Sequence, residues 1–556
     1  MIEPRFPTLS FLGCAAMAVL APLSVSAKSP HSISMTPISS VAAGSFLTSA
    51  AEIVAHDPAT QRIFVVNAQA ARVDVYSIAN PAQPIVVGSI DASAFGGVAN
   101  SVAVHDGAVA VAVESTVKTN PGKVVFFNTN LEFLAQVTVG SLPDMLTFTP
   151  NGRYVLTADE GEPSDDYTVD PEGTVSIIDV SKGVASVTQA DVRTANFRAY
   201  NSKTRAELFN GTGTGPKPAI RVFGPNATVA QDLEPEYITV SQDSKTAWVT
   251  LQEGNAIGII DIDSATVKDL VGLGTKDHSL ASNGFGSSNA LDASDRDGIP
   301  VANNGRINIQ NWPVKGLYLP DGIDCYKVGN QTYLVLANEG DSREWSGYAE
   351  ETRVGSMALD PTAFPPAVAT ELKKNNNLGR LKATKAQGDT NGNNVYKEIY
   401  TFGARSFSIR DAQGNLVWDS GDQFEQILAQ ILPDFFNSNH EINKFDDRSD
   451  DKGPEAESVT VGKAFGRTYA FVALERISGV MIFDITDPTA PEFVQYADNR
   501  DFTKATNTAA AGDLGPEGLF FVSEENSPNG KPLLLVANEV SGTTTVYEIS
   551  KVKGKK

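Results

Sequence analysis

Residues 319–345 read LPDGIDCYKVGNQTYLVLANEGDSREW. A proline–acid turn at Pro320-Asp321 runs into an apolar strand. After a polar turn a second strand follows, which ends among the acids Glu339, Asp341 and Glu344. The same unit recurs at 51–78, 100–128, 143–180, 235–262, 454–485 and 516–549, with acids in similar places. Each unit holds three short runs rich in Val, Ile, Phe and Tyr, usually with a fourth run before the next begins, as at Pro491-Glu492-Phe493-Val494. Such a repeat predicts four-stranded antiparallel sheets arranged radially, because a lone sheet cannot bury both faces but a ring of sheets can. No helix-length amphipathic pattern alternates with the strands, which argues against an α/β fold. The expected class is all-β: a β-propeller of seven regular blades, with residues 398–421 either extending the fifth or forming an irregular eighth.

One propeller domain is expected over 51–550, interrupted by insertions at 189–233, 270–318 and 345–452, with an N-terminal segment at 28–50 and a basic tail at 551–556. Insertions of that length in a compact repeat domain usually build a functional face. The first residues add an address. An apolar run over 11–25 follows Arg5 and ends in Val25-Ser26-Ala27, the pattern of a secretory signal peptide cleaved near Ala27. No later stretch is long and apolar enough to span a membrane, so an extracytoplasmic protein, periplasmic or secreted, is expected. Cys14 leaves with the signal, so Cys325 is alone and no intramolecular disulfide is expected.

The 66 acids outnumber the 44 basic residues, for a net charge of −22. That surface repels nucleic acid and anionic lipid and attracts cations. In a propeller the first strand of each blade lines the central channel. Here the strand starts carry Glu52, Asp144, Glu236, Asp321, Glu455 and Glu517, and the ends of the second strands carry Glu114, Asp159, Glu160, Glu253, Glu339, Glu475 and Glu539. Equivalent positions in radial repeats point at a common axis. Carboxylates a few ångströms apart need a cation or raised pKa values to coexist. Oxygen-only donors select hard divalent cations, with Ca²⁺ foremost. The plainer reading is that each acid belongs to a turn and caps its own blade; recurrence at both ends of most units favours the cation.

The expected metal ligands are therefore Asp144, Glu160, Glu236, Asp321, Glu339, Asp341, Glu455 and Glu517. A separate loop, DASDRDG at 292–298, offers Asp292, Asp295 and Asp297 at calcium-loop spacing, without the distal glutamate of an EF-hand. The acid run at 446–451 reads first as a solvated loop, with closure over the same face as the alternative. Arg343 is the candidate catalytic residue, a guanidinium fork suited to phosphate oxygens beside such a site, and Arg353 and Arg405 are also near acids. The five histidines are scattered without ligand spacing, and no G-x-S-x-G elbow, P-loop or dinucleotide fingerprint is present.

The motifs TADEGEP (157–163), NWPVKGLYLPDGI (311–323), ANEGDSREW (337–345), FGARSFSI (402–409), DDKGPE (450–455) and the closing GPEGL and ANEVSGT resemble the choice-of-anchor I family. That family includes animal mesenchyme-specific cell-surface glycoproteins associated with biomineralisation, and its members are often labelled alkaline phosphatases. The resemblance implies an extracytoplasmic propeller. A fold-level parallel with PhoX-type alkaline phosphatases, acidic propellers that hold calcium and iron with a cysteine at the iron, adds a second, redox metal and Cys325 as its contact. Two functions are therefore expected. One is metal-dependent hydrolysis of a phosphorylated small molecule. The other is a non-catalytic calcium-binding role toward a mineral or cell-surface ligand, in biomineralisation or adhesion. The oligomeric state is left open.

Overall fold

Burial along the strands shows how the repeat folds. In the second strand of each unit, such as Arg467–Leu474 and Leu533–Asn538, nearly every residue is buried, so both faces are covered. An outer strand such as Ile85–Asp91 is mostly exposed. A sheet whose middle is covered on both sides while its outer edge meets water must stand radially between two neighbours. The computed structural model, which describes residues 33–43, 49–203, 208, 220–298, 304–389 and 391–552, shows that arrangement. The expected signal peptide and residues 553–556 of the basic tail fall outside the described residues.

The described residues form seven four-stranded antiparallel sheets, one per repeat unit. Their first strands are Val54–Asp57, Ala99–His105, Pro143–Phe148, Pro235–Val240, Ile323–Val328, Ala456–Ala464 and Pro516–Val522, and each touches the next in a closed cycle. Seven apolar clusters sit between successive sheets and complete the ring, the last joining Val522, Leu533 and Leu535 to Val54, Ile63 and Val65. The molecule is a β-propeller. Each fully buried large aliphatic or aromatic side chain contributes about 1.5–3 kcal/mol, and this surplus between sheets lets the axis carry costly charge.

Three features differ from the sequence expectation. The serine- and threonine-rich segment at 28–50 contains Ile33–Ala42, which pairs antiparallel with Thr543–Lys551 and forms the outer strand of the seventh sheet. Residues 33–42 and 543–551 thus share one sheet, and the hydrogen bonds between them lock the ring. The stretch 345–452 is not one insertion. Ser406–Asp411 and Leu416–Asp419 are the outer strands of the fifth sheet, the first of the two placements expected for 398–421, so residues 339–405 are inserted within that sheet and 420–455 follow it. Likewise Val192–Asn196, in the stretch 189–233, is the outer strand of the third sheet. The insertions fold over one another around their own apolar cluster, which includes Leu291, Trp312, Met357, Phe364 and Leu378.

Candidate metal centre

Strand register decides which acids face the channel. In the third sheet Pro143 pairs with Asp159 and the next regular pair is Leu146 with Thr157, so Asp144 sits in a bulge. The same bulge opens the fourth, sixth and seventh sheets, where Pro235, Ala456 and Pro516 are the paired residues. A bulge bends the strand and re-aims the side chain it displaces. The displaced residues are Asp144, Glu236, Glu457 and Glu517. Counting two residues back from the first regular pair gives Asp321 in the fifth sheet and Glu52 in the first, and in the second the residue displaced between Ala99 and Ser101 is Asn100. Six carboxylates and one amide therefore occupy equivalent places around the axis.

A second circle follows each second strand, one residue beyond the paired position. It contains Glu114, Glu160, Gln252, Glu339, Glu475 and Glu539, with Ala68 in the first sheet. Gln252, and not Glu253, holds this place in the fourth sheet; its Nε2 donates to Glu339 Oε2 at 2.7 Å. Between the circles lies a cavity of about 520 Å³ lined by Glu52, Glu114, Asp144, Asp321, Glu517 and Glu539. A second cavity of about 440 Å³ shares Glu162 with the first and includes Glu253, Asp341, Lys452 and Arg476. Lys118 caps the shared wall, paired with Glu162 and lying 4.5 Å from the centre of the Trp345 ring.

Two groups of carboxylates meet metal-site spacing: Asp321 with Glu457 and Glu517, and Glu339 with Glu457 and Glu475. In each, one oxygen per residue lies within 4.8 Å of the others. Glu457 belongs to both, and its Oε2 is sealed from solvent without a hydrogen-bond partner. The Oε2 atoms of Glu236 and Glu253 are in the same condition. Opposite oxygens bound to one calcium ion are about 4.6–5.2 Å apart, twice the usual Ca–O distance, so this spacing suits a hard divalent cation.

The carboxylates that face the axis are held above their ordinary range, first by burial and then by one another. Glu52 is pushed up to about 8, with Glu539 and Asp144 adding to the desolvation. Burial lifts Asp144 to about 7, and Asp321, Glu457, Glu475 and Glu517 stand well above the usual carboxylate value. Some of these side chains keep a little exposure toward the channel, yet protein surrounds them on every side. Each proton-free carboxylate here is an unmet demand for positive charge.

Of the ligands expected from sequence, Asp144, Glu236, Asp321 and Glu517 lie in the first circle, and Glu160 and Glu339 in the second. Asp341 is half-exposed beside the second cavity, 3.9 Å from Lys452 Nζ. Glu455 is a correction. It precedes the bulge with φ +54°, the place that Leu142, Leu319 and Gly515 take in their sheets, also at positive φ. There its carboxylate is caged by Arg448, Arg476 at 3.0 Å and Lys452 at 3.0 Å. Burial works to raise its pKa, but the three cations outweigh that and hold it well below the usual value. Such a carboxylate has no charge left for a metal. Glu457, two residues on, is the channel acid.

The candidate phosphate clamp is also committed elsewhere. Arg343 is buried, paired with Asp232 and, at 2.9 Å, with Glu234, and its guanidinium lies 4.6 Å from the Phe223 ring centre. Asp292, Asp295 and Asp297 line neither cavity. Asp295 is engaged by Arg296 and Arg380. Arg353 pairs with Asp450, and Arg405 with Glu425. Of the acid run at 446–451, Asp451 lines the second cavity whereas Asp446 is buried away from it. Cys325 donates its thiol to the Val240 carbonyl at 3.3 Å, and burial pushes that thiol up to about 12.

Comparison with known proteins places this geometry in a family. A mesenchyme-specific cell surface glycoprotein of Strongylocentrotus purpuratus is 28% identical over 295 residues, covering 47% of this chain and 36% of that protein. Gigasin-3a of Magallana gigas is 28% identical over 184 residues, 31% of this chain and 64% of that protein. The chain thus matches about a third and just under two thirds of the lengths of these relatives. Among solved structures, Kuenenia stuttgartiensis hydrazine synthase is 12% identical with a TM-score of 0.42, covering 92% of this chain and 98% of that one. The β-propeller domain of Myceliophteria thermophila Cps50 (Swd1) is 7% identical with a TM-score of 0.41, covering 94% and 100%. The choice-of-anchor I domain matches residues 52–488, from the first channel carboxylate to the turn after the sixth sheet's third strand, and the chain belongs to the choice-of-anchor I family.

Proposed function

We propose that the chain is an extracytoplasmic, calcium-binding propeller whose channel mouth holds divalent cation through Asp321, Glu339, Glu457, Glu475 and Glu517. The observation that carries this reading is Glu457, shared by two carboxylate groups at metal-ligand spacing and left with one sealed, unpartnered oxygen. The donors are carboxylates without nitrogen or sulfur, which favours calcium over zinc or a redox metal. The cell-surface description of the sea-urchin relative supports a place outside the cytoplasm. No helix among the described residues is long and apolar enough to cross a membrane.

The role is binding a mineral or cell-surface ligand through the held cation rather than turnover. Arg343 lines the second cavity, but its charge is matched by Asp232 and Glu234, and the channel-side basic groups Lys452 and Arg476 are tied to Glu339, Glu455 and Glu475. Phosphoester hydrolysis is the second reading, and the sharing of Glu457 favours it: two cations bridged by one carboxylate form a clamp suited to in-line phosphoryl transfer.

Elemental analysis of protein purified without chelator, with calcium titration of wild type and Glu457→Gln, tests the proposal. Stoichiometric calcium that is lost in the variant is the expected result. Wild-type protein with neither bound metal nor calcium uptake at millimolar concentration refutes it. Hydrolysis of p-nitrophenyl phosphate that depends on the metal and on Glu457 would replace the binding role with the catalytic one.

A further inference from the structure

A second acidic centre lies in the insertions, apart from the channel. Asp292 and Asp446 are fully buried, and Glu425 and Asp297 nearly so, at 1% and 4% exposed. Two of the four are neutralised locally. Glu425 receives Arg405 Nη1 at 2.7 Å, and Asp297 receives the Arg306 backbone N–H at 3.0 Å and Nε at 3.3 Å. Asp292 and Asp446 have no ion pair among the described residues, and the charged groups that face Asp446 are Asp292, Asp297 and Glu425. In their ionised form these two carboxylates have no ion-pair partner in the interior.

Their hydrogen bonds do not make up the deficit. One Asp292 oxygen accepts the Asn308 N–H at 2.5 Å and the other the Ser294 N–H at 3.4 Å. Asp446 Oδ1 accepts from the Ser449 hydroxyl, whereas its Oδ2 is sealed from solvent and has no donor. That oxygen packs against Gly305, where a Cβ would overlap the carboxylate, so the local chain leaves room for it. Nearby, Asn437 Nδ2 donates to Glu425 Oε1 at 2.8 Å and to Ser449 Oγ at 2.9 Å, while Asn437 Oδ1 is likewise buried and unpartnered. A buried carboxylate without partner or counter-charge costs several kcal/mol, and a single divalent cation would neutralise this pair.

We propose that Asp292 and Asp446, with Asn437 as a neutral oxygen donor, hold one divalent cation of calcium type. Its ligands come from the segment that follows the fourth sheet and from the one between the fifth and sixth sheets. The ion would pin both beside Arg405, whose Nη2 already bonds the Ser449 and Asp451 carbonyls at 2.8 and 2.7 Å. This site is structural and independent of the channel, since none of its three ligands lines either cavity.

The test compares calcium stoichiometry in full-length wild type, Asp446→Asn and Glu457→Gln by equilibrium dialysis. Asp446→Asn should bind one equivalent fewer than wild type, whereas Glu457→Gln should keep that equivalent. Terbium-soaked wild-type crystals supply the second measurement, free of any folding defect in a variant. An anomalous peak within about 2.6 Å of Asp446 Oδ2 is expected. Unchanged stoichiometry in a folded Asp446→Asn protein, or no peak between Asp292 and Asp446, overturns the assignment. A peak in the channel alone sinks this site and spares the proposed function; a peak here alone does the reverse.

Discussion

Calcium binding at the channel mouth should expel protons and tighten steeply with pH. Asp321, Glu457 and Glu517 present oxygens within 4.8 Å of one another. Two unit charges at that distance repel by about 3.5 kcal/mol at an effective dielectric near 20. Three such pairs come to about 10 kcal/mol, comparable with the whole net stability of a folded domain, about 5–15 kcal/mol. The metal-free group therefore cannot be fully ionised at neutral pH, in keeping with the raised pKa of all three residues. Calcium needs the carboxylates bare. With about one or two protons released per ion, affinity should rise about 10²- to 10⁴-fold from pH 6 to pH 8.

The same shifts set the stability of the metal-free protein. Glu52 rises from 4.5 to about 8 and Asp144 from 3.8 to about 7. Raised acids favour the folded state fully below their unfolded values, and that contribution is lost as pH climbs through the folded values. The melting temperature of chelator-treated protein should therefore fall between about pH 4 and pH 8, and saturating calcium should flatten the fall. Glu457→Gln resembles the neutral acid, so it should barely change the metal-free melt yet remove the calcium effect. The assay is calorimetric titration at pH 6, 7 and 8 in two buffers of different protonation enthalpy. Equal affinities at pH 6 and 8, with no buffer-dependent heat, would refute the reasoning.

The remaining predictions concern residues that the structure takes out of the metal site. Glu455→Gln leaves Arg448, Lys452 and Arg476 without their shared carboxylate; it should cost about 3–5 kcal/mol in denaturant unfolding with calcium stoichiometry unchanged, and a wild-type midpoint would discard the cage. Arg343→Ala strands Asp232 and Glu234 in the interior and should cost a similar amount, about 3–5 kcal/mol, again without loss of the ion; a lost ion would return Arg343 to the site. Cys325, with its thiol pushed up to about 12, should resist iodoacetamide at pH 8 until the protein is unfolded, because the thiolate is the nucleophile. Rapid labelling of native protein would contradict that burial.

What the sequence made legible follows from what it repeats. Strands covered on both faces must be apolar along their length, so VAVAV in the second sheet and LLLVAN in the seventh stand out, and a ring of sheets follows from their number. The closing strand Ile33–Ala42 carries no such signal. As an outer strand most of its later residues face water, and ISMTPISSVA reads as a polar leader. The outer strands of the fifth sheet were legible as strands within 398–421, but their place stayed open between the fifth sheet and an eighth, because an inserted stretch, 339–405, separates them from their partners in sequence while the register Leu336↔Ser408 brings them together. The channel acids were legible as a class but slipped by two residues at one place. Pro454-Glu455 copies the proline–acid pair of Pro143-Asp144, Pro235-Glu236, Pro320-Asp321 and Pro516-Glu517. The feature that fixes the acid is not the proline but the register, which places it two residues before the first regular strand residue: Leu146, Ile238 and Leu519 after a bulge, and Ile323 at the first pair of the fifth sheet. Applied to Val459, that count gives Glu457. The two-residue slip separates a caged carboxylate, matched by three cations and useless to a metal, from an unpartnered one shared by two metal-spaced groups. A function of this kind rests on which backbone carries the bulge, because nearly identical acids two residues apart end with opposite charge balance.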